Sequence, residues 1–105
     1  MSTKKIQILG TLNKTSARIA YVDLPSANWQ IDETTGAYYQ DPEIEGVTEN
    51  SQVDLTPSIE QLIAFYDKDL GFVTENDGGK VRVYAIGQKP LNDYTIQVTI
   101  TEVEV

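Results

Sequence analysis

Three carboxylates on one predicted strand face are the residues best spaced for acid–base chemistry. Asp41, Glu43 and Glu45 alternate with other residues within 37–45, so neighbouring side chains lie about 7 Å apart on one face of a strand. Glycoside hydrolysis uses two carboxyl groups that flank a sugar at about 5–10 Å. The same pattern is typical of a solvated edge strand, whose charges oppose edge-to-edge pairing. We favour the second interpretation, which gives these residues no catalytic role.

The residue types that enzymes and metal sites use most often are missing from the sequence. Its 105 residues include no cysteine and no histidine, which excludes a Ser-His-Asp triad, a cysteine nucleophile and a thiolate zinc site. The oxygen-rich run Asn76-Asp77-Gly78-Gly79 lacks the spacing of a calcium-binding EF-hand loop and is typical of a hairpin turn. The prediction is therefore a protein that is not an enzyme, with no catalytic residues, no cofactor and no metal.

The net charge and the lack of long apolar runs bear on nucleic-acid binding, membrane insertion and secretion. Sixteen acidic residues against eight basic ones give a net charge of −8, which disfavours binding to nucleic acid. An acidic inhibitor that mimics nucleic acid is kept as an alternative. No apolar run approaches the roughly 18 residues of a membrane helix, and the first residues lack the features of a signal peptide. These observations predict synthesis in the cytoplasm, no secretion by a signal peptide and no membrane partner.

Aromatic residues at predicted strand positions offer a second kind of site, a stacking platform for sugars. A lone tryptophan in a small β domain is usually a core anchor, and that is the role predicted for Trp29. Strand alternation sends one of the adjacent residues Tyr38 and Tyr39 outward, so this pair is a candidate surface contact. These residues leave open the alternative of a carbohydrate-binding module that attaches to a host cell wall.

One helix is predicted over about 57–69. Thr56 is the expected cap, Pro57 fits the first helical position, and Gly71 is the expected stop. Its apolar residues follow helical spacing and form one stripe, which is expected to face the core: Ile59, Leu62, Ile63, Tyr66 and Leu70. Phe65 lies partly off this stripe and is a candidate exposed aromatic that contacts a partner.

Short alternating segments fill the rest of the chain. Strands are expected at 18–24, 27–32, 37–45, 52–55, 72–75, 80–87 and 94–101. Pro42 marks its strand as an edge or a bulged strand. The change of apolar parity at Val103 predicts a bulge near Thr101-Glu102, or a tail that packs elsewhere. The fold class expected is mainly β, an antiparallel immunoglobulin-like β-sandwich with one short inserted α-helix. A mixed sheet with a parallel crossover through the helix is the alternative.

The order of several short motifs from residue 24 onward resembles a known family. The motifs are Leu24-Pro25-Ser26-Ala27-Asn28-Trp29, Ile44-Glu45-Gly46-Val47-Thr48, Ser51-Gln52-Val53-Asp54-Leu55, Lys89-Pro90, and 93–100. They are similar to a small β module of prophage structural proteins from Gram-positive gut bacteria, where it forms part of tail, baseplate or head-fibre proteins. The resemblance spans about 80 residues, and its motifs are mostly core and turn residues.

The resemblance implies a non-enzymatic virion structural or decoration protein that acts through protein surfaces. Its expected partners are other copies of itself, for example in a homotrimer, and other phage structural proteins. The protein is expected to become virion-associated after synthesis. The expected division is an N-terminal arm or extra strand at 1–23 and a sandwich domain at 24–105, with the arm available to pair with a neighbouring subunit.

Overall fold

Two antiparallel sheets and one helix make up residues 15–103, the part of the chain that this computed structural model describes. A short 3-10 turn spans Ser26–Asn28, and the helix α1 spans Ile59–Asp67. The strands are β1 (Thr15–Leu24), β2 (Gln30–Ile31), β3 (Tyr38–Gln40), β4 (Ser51–Leu55), β5 (Gly71–Asp77), β6 (Lys80–Ile86) and β7 (Tyr94–Val103).

The sheets have the strand orders β1-β7-β4 and β2-β3-β6-β5. Every strand pair within residues 15–103 is antiparallel. The expected mainly β architecture is confirmed. The parallel crossover does not form, because α1 leads from β4 at the edge of one sheet to β5 at the edge of the other.

The inner faces of both sheets contribute to one apolar cluster. Period-two alternation explains its composition, since every second residue of a strand points to the same face. On β7 these residues are Ile96, Val98 and Ile100, each at most 2% exposed. The other buried apolar residues are Val22, Leu24, Trp29, Val53, Phe65, Leu70, Val81, Val83 and Ala85. Each large side chain that is fully buried contributes about 1.5–3 kcal/mol to folding.

Strand β7 runs without a bulge, so the bulge predicted near Thr101-Glu102 is wrong. Thr101 and Glu102 pair in unbroken register with Ala17 and Ser16 on β1. Glu102 occupies the inward parity where the alternation predicts an apolar side chain. Its carboxylate accepts hydrogen bonds from the hydroxyls of Ser51 and Thr48, so a charged group is accommodated there without a change of register.

The strands predicted at 27–32 and 37–45 are shorter than expected. Residues 27 and 28 of the first lie in the 3-10 turn and only Gln30–Ile31 form a strand, while β3 ends at Gln40, before Pro42. Proline has no N–H to donate to a neighbouring strand. Strand β3 ends before Pro42, and no bulge forms there. Asp41, Glu43 and Glu45 consequently lie outside any strand, and the shared strand face predicted for them does not exist.

Residues 15–23, from the segment predicted as an arm or extra strand, lie in strand β1. Strand β1 pairs with β7 along its whole length, so the boundary predicted between residues 23 and 24 falls inside a strand. The remainder of the predicted arm, residues 1–14, lies outside the described residues.

The ends of α1 are formed by residues other than those predicted. Ser58 is the N-cap, and it exchanges hydrogen bonds with Gln61 in a capping box. At the other end Asp69 has a left-handed φ of 53°. The Leu70 N–H donates to the Phe65 carbonyl at 2.9 Å, and the Asp69 N–H donates to the Tyr66 carbonyl at 3.1 Å. This is a Schellman motif: the helix ends at Asp67, and its left-handed residue is Asp69 rather than the predicted Gly71.

Candidate functional site

The packing of α1 depends on one aromatic residue. Phe65 is 5% exposed, and its ring meets those of Phe72 and Tyr94 edge-on at centroid distances of 4.9 and 5.1 Å. On an adjacent part of the helix surface, Gln61 Nε2 donates to the Thr95 carbonyl at 2.9 Å. These contacts fix which side of the helix faces the sandwich. The prediction that Phe65 is an exposed contact residue is therefore wrong.

The apolar stripe of α1 points largely to solvent, opposite to the prediction. Ile59 is 68% exposed, Leu62 48%, Ile63 55% and Tyr66 85%. We call these four residues the helical apolar face. Of the predicted stripe only Leu70 is buried, and it lies after the end of the helix. Exposed apolar side chains scattered singly are normal, whereas large contiguous apolar patches are typical of interaction sites.

An apolar cleft of about 360 Å³ adjoins the helical apolar face. This volume is near the lower end of the range for small-ligand pockets, about 300–1,000 Å³. It has room for one large apolar side chain. Its walls come from α1 and from both sheets: Leu55, Pro57, Leu62, Phe65, Tyr66, Leu70, Gly71, Phe72 and Ile96.

The two adjacent tyrosines face opposite ways, as strand alternation requires. Tyr38 packs against the core. Tyr39 lies on the outer face of its sheet, 6.3 Å from the ring of Tyr84. The guanidinium carbon of Arg82 lies 4.0 Å from the centroid of the Tyr39 ring, which is a cation–π contact. A sugar that stacked on this face of Tyr39 would have to displace Arg82.

Asp41 is held by cations rather than placed for proton transfer. Its carboxylate accepts from Arg82 Nε at 2.8 Å and Nη2 at 3.1 Å, and Lys80 Nζ lies 3.6 Å away. The hydrogen bonds from Arg82 lower the pKa of Asp41, and the contact with Asp41 raises the pKa of Arg82. A general acid at neutral pH needs a raised pKa, so this carboxyl lacks the protonation state for that role.

Trp29 lies in the core at 6% exposure, and its ring stacks with that of Phe72 at 5.9 Å. Its indole N–H has no hydrogen-bond partner within the described residues. Because the ring is buried, it offers no face on which a sugar in solvent can stack.

The known proteins offer no template for this chain. No family model, no curated protein and no solved structure matches it. Over residues 15–103 no group of three or more acidic side chains is arranged to hold a metal ion. None of the helices described there is long and apolar enough to cross a membrane.

The apolar spacing in the sequence identifies the residues of the helical apolar face, but it predicts that they face the core. Their spacing alone could not show which side of α1 faces the sandwich. A local signal was present: Phe65 and Leu70 occupy the two positions of a Schellman motif that commonly touch across a helix end. That contact requires Phe65 to face the core.

Stability at acid pH is expected to depend on Glu102. Hydrogen bonds from Ser51 and Thr48 lower the pKa of this carboxyl from its ordinary value of 4.5. A lowered folded-state pKa contributes stability above the unfolded-state value, and that contribution is lost as the pH falls through the folded-state value. The free energy of unfolding, measured with urea from neutral pH to about pH 3, should fall less steeply for Glu102→Gln than for the wild type. Parallel profiles would contradict this role.

Proposed function

We propose that this domain is a non-enzymatic structural or decoration module of a phage-derived particle, and that it binds other proteins of that particle through the helical apolar face. The observation that carries the proposal is the exposure of the four apolar residues of this face, 48–85% each. Exposed apolar groups on one helix lose contact with water when a partner covers them. That is the arrangement of a helix-mediated protein interface.

The cleft next to the helical apolar face supports the same function. Side chains that dominate binding energy are typically aromatic or apolar anchors that enter pockets near the centre of an interface. Here Leu62 and Tyr66 belong both to the exposed face and to the wall of the cleft. A partner that inserts one apolar side chain between them would cover the face at the same time.

The origin in a phage particle rests on the resemblance of the motifs from residue 24 onward to prophage virion modules. Two antiparallel sheets around a single core support an immunoglobulin-like sandwich as the finer description of the fold. In this proposal the protein is made in the cytoplasm and then incorporated into the particle.

Binding to purified structural proteins encoded beside this gene tests the proposal. The variant Ile63→Lys/Tyr66→Lys should bind at least about tenfold more weakly by calorimetry, because an interface that buries an unpaired ammonium group loses well over 1.4 kcal/mol. Thr34→Lys/Thr35→Lys adds the same charge at exposed positions of the turn between β2 and β3 and should bind normally. Equal binding of all three proteins would exclude the helical apolar face as the binding surface. Absence of binding by the wild type would overturn the proposed function.

A further inference from the structure

Strand β1 is the longest open strand edge in the part of the chain described. It pairs with β7 over all ten residues, and within residues 15–103 no strand pairs with its other side. An open edge presents unpaired backbone N–H and C=O groups to any strand that approaches it. By comparison, the open edge of β2 is two residues long.

Side chains of β5 cover part of the open edge of β4, and β5 itself is shorter than β1, with seven residues. Thr74 Oγ1 donates to the Val53 carbonyl at 2.5 Å. Asn76 Nδ2 donates to the Ser51 carbonyl at 2.8 Å. These side chains occupy backbone acceptors of β4 on the side where β5 approaches. The two sheets are therefore joined at this edge, and β1 lies at the opposite side of its sheet.

Strand β1 lacks two of the features that commonly keep an edge from pairing, a proline and a bulge. Natural edges are protected by proline, bulges or inward-pointing charges. The sequence of β1 contains no proline, and its register with β7 has no bulge. Of its two charged residues, Arg18 has the inward parity of Val22 and Leu24, but its guanidinium donates to the backbone carbonyl of Glu45. Asp23 lies on the outward parity and accepts a hydrogen bond from Thr95 at 2.7 Å.

The outer face of β1 carries two apolar side chains in contact with solvent. Ile19 is 62% exposed and Tyr21 is 67% exposed. Their partners on β7 are the polar residues Thr99 and Gln97, so no apolar neighbour covers them from that strand. Another strand added to the open edge would bring its own outward side chains alongside both.

We propose that two copies of this chain associate by antiparallel pairing of β1 with β1, about a two-fold axis at Ala20. Directly opposed residues in an antiparallel pair lie on the same face, so only registers that keep outward residues together are allowed. With Ala20 opposite Ala20, Ile19 of each copy faces Tyr21 of the other. A shift one way pairs Ile19 with Ile19 but places Tyr21 opposite Ala17. A shift the other way pairs Tyr21 with Tyr21 but places Ile19 opposite Asp23.

Because the outward residues of β1 match those of a second β1, the favoured partner is a second copy of the chain. The register at Ala20 matches both apolar residues at once, and the two-fold axis repeats the match. Arg18 and Asp23 balance each other within β1, so the paired strands carry no net charge although the whole chain carries −8. The proposal concerns a surface separate from the helical apolar face and does not depend on the proposed function.

The molar mass of the full chain in solution, measured by light scattering over a concentration series, tests the proposal. The wild type should reach twice its monomer mass of 11.7 kDa. Ile19→Lys/Tyr21→Lys should weaken the dimer at least about tenfold, because two lysines then face two lysines across the axis. Both side chains are mostly exposed, so the variant should keep the circular dichroism spectrum of the folded protein.

Ile59→Lys/Ile63→Lys is the matched control, with the same change of charge on the helical apolar face. It should dimerise like the wild type. A monomeric wild type would overturn the proposal and would leave the edge to residues 1–14 or to another protein. A dimer that resists the substitutions in β1 but is lost in the control would assign the contact to α1 instead.

Cross-linking tests the register itself. The chain has no cysteine, so Ile19→Cys and Tyr21→Cys each carry a single thiol. A mixture of the two variants should form an interchain disulfide under mild oxidation faster than either variant alone, since residue 19 of one copy faces residue 21 of the other. Faster cross-linking of Tyr21→Cys with itself would contradict the axis at Ala20.

Discussion

Phe65→Ala is expected to lower the free energy of unfolding by about 3–5 kcal/mol, whereas Tyr66→Ala should change it by less than about 0.5 kcal/mol. The two residues are neighbours in one helix, and both substitutions replace an aromatic residue by alanine. They differ in burial, since Phe65 is 5% and Tyr66 85% exposed. Phe65→Ala also removes two edge-on ring contacts in the core.

Urea unfolding followed by tryptophan fluorescence measures both effects, because Trp29 stacks on Phe72, one of the rings that Phe65 contacts. The two variants serve as controls for each other, since the change in intrinsic helix propensity is nearly the same for both. A larger cost at Tyr66 than at Phe65 would mean that α1 faces the sandwich with its other side. It would also remove the basis of the helical apolar face.

The β elements could be predicted because their information is local. Ile96, Val98 and Ile100 alternate with polar residues, and the side-chain period of a strand places all three on the core face. The same reasoning locates β6. The turn between β5 and β6 also follows from local chemistry, since Gly78 and Gly79 both have positive φ, which glycine adopts without steric cost.

The orientation of α1 could not be predicted from its apolar spacing. The stripe interpretation assumes that the most apolar side of a helix faces the core. In this domain the connection between β4 and β5 places Phe65 over the aromatic rings of Phe72 and Tyr94. The two ring contacts of Phe65 and the hydrogen bond from Gln61 to β7 outweigh the exposure of the stripe. Both depend on residues distant in sequence.

The positions of the acidic side chains after β3 could not be predicted from local spacing either. Alternation placed Asp41, Glu43 and Glu45 on one strand face, but β3 ends before them. Asp41 instead pairs with Arg82 on β6, 41 positions away in sequence. A salt bridge between such distant residues follows from strand order, which a single sequence does not contain.

Gly87→Ala is expected to destabilise the protein by more than about 3 kcal/mol, enough to leave a large fraction unfolded if the domain is of ordinary stability. Gly87 follows β6 and has a φ of 104°, a region that residues with a Cβ rarely adopt. A Cβ at this position would also lie 2.1 Å from the carbonyl oxygen of Asp69 and 3.2 Å from its carbonyl carbon. Both atoms belong to the backbone, so no side-chain rotation relieves the clash.

Gly36→Ala is the matched control, because Gly36 also has a positive φ, 78°, but a Cβ there meets no atom within 4 Å. It should cost only about 1–2 kcal/mol, the ordinary penalty for a left-handed conformation. The difference between the two variants in urea unfolding therefore measures the close approach of Gly87 to Asp69. Asp69 is the left-handed residue that follows the C-cap of α1. A Cβ at residue 87 would therefore push this end of the helix away from β6 and weaken the packing of Phe65 against the core. Equal costs at the two glycines would show that this helix end moves to accommodate the added Cβ.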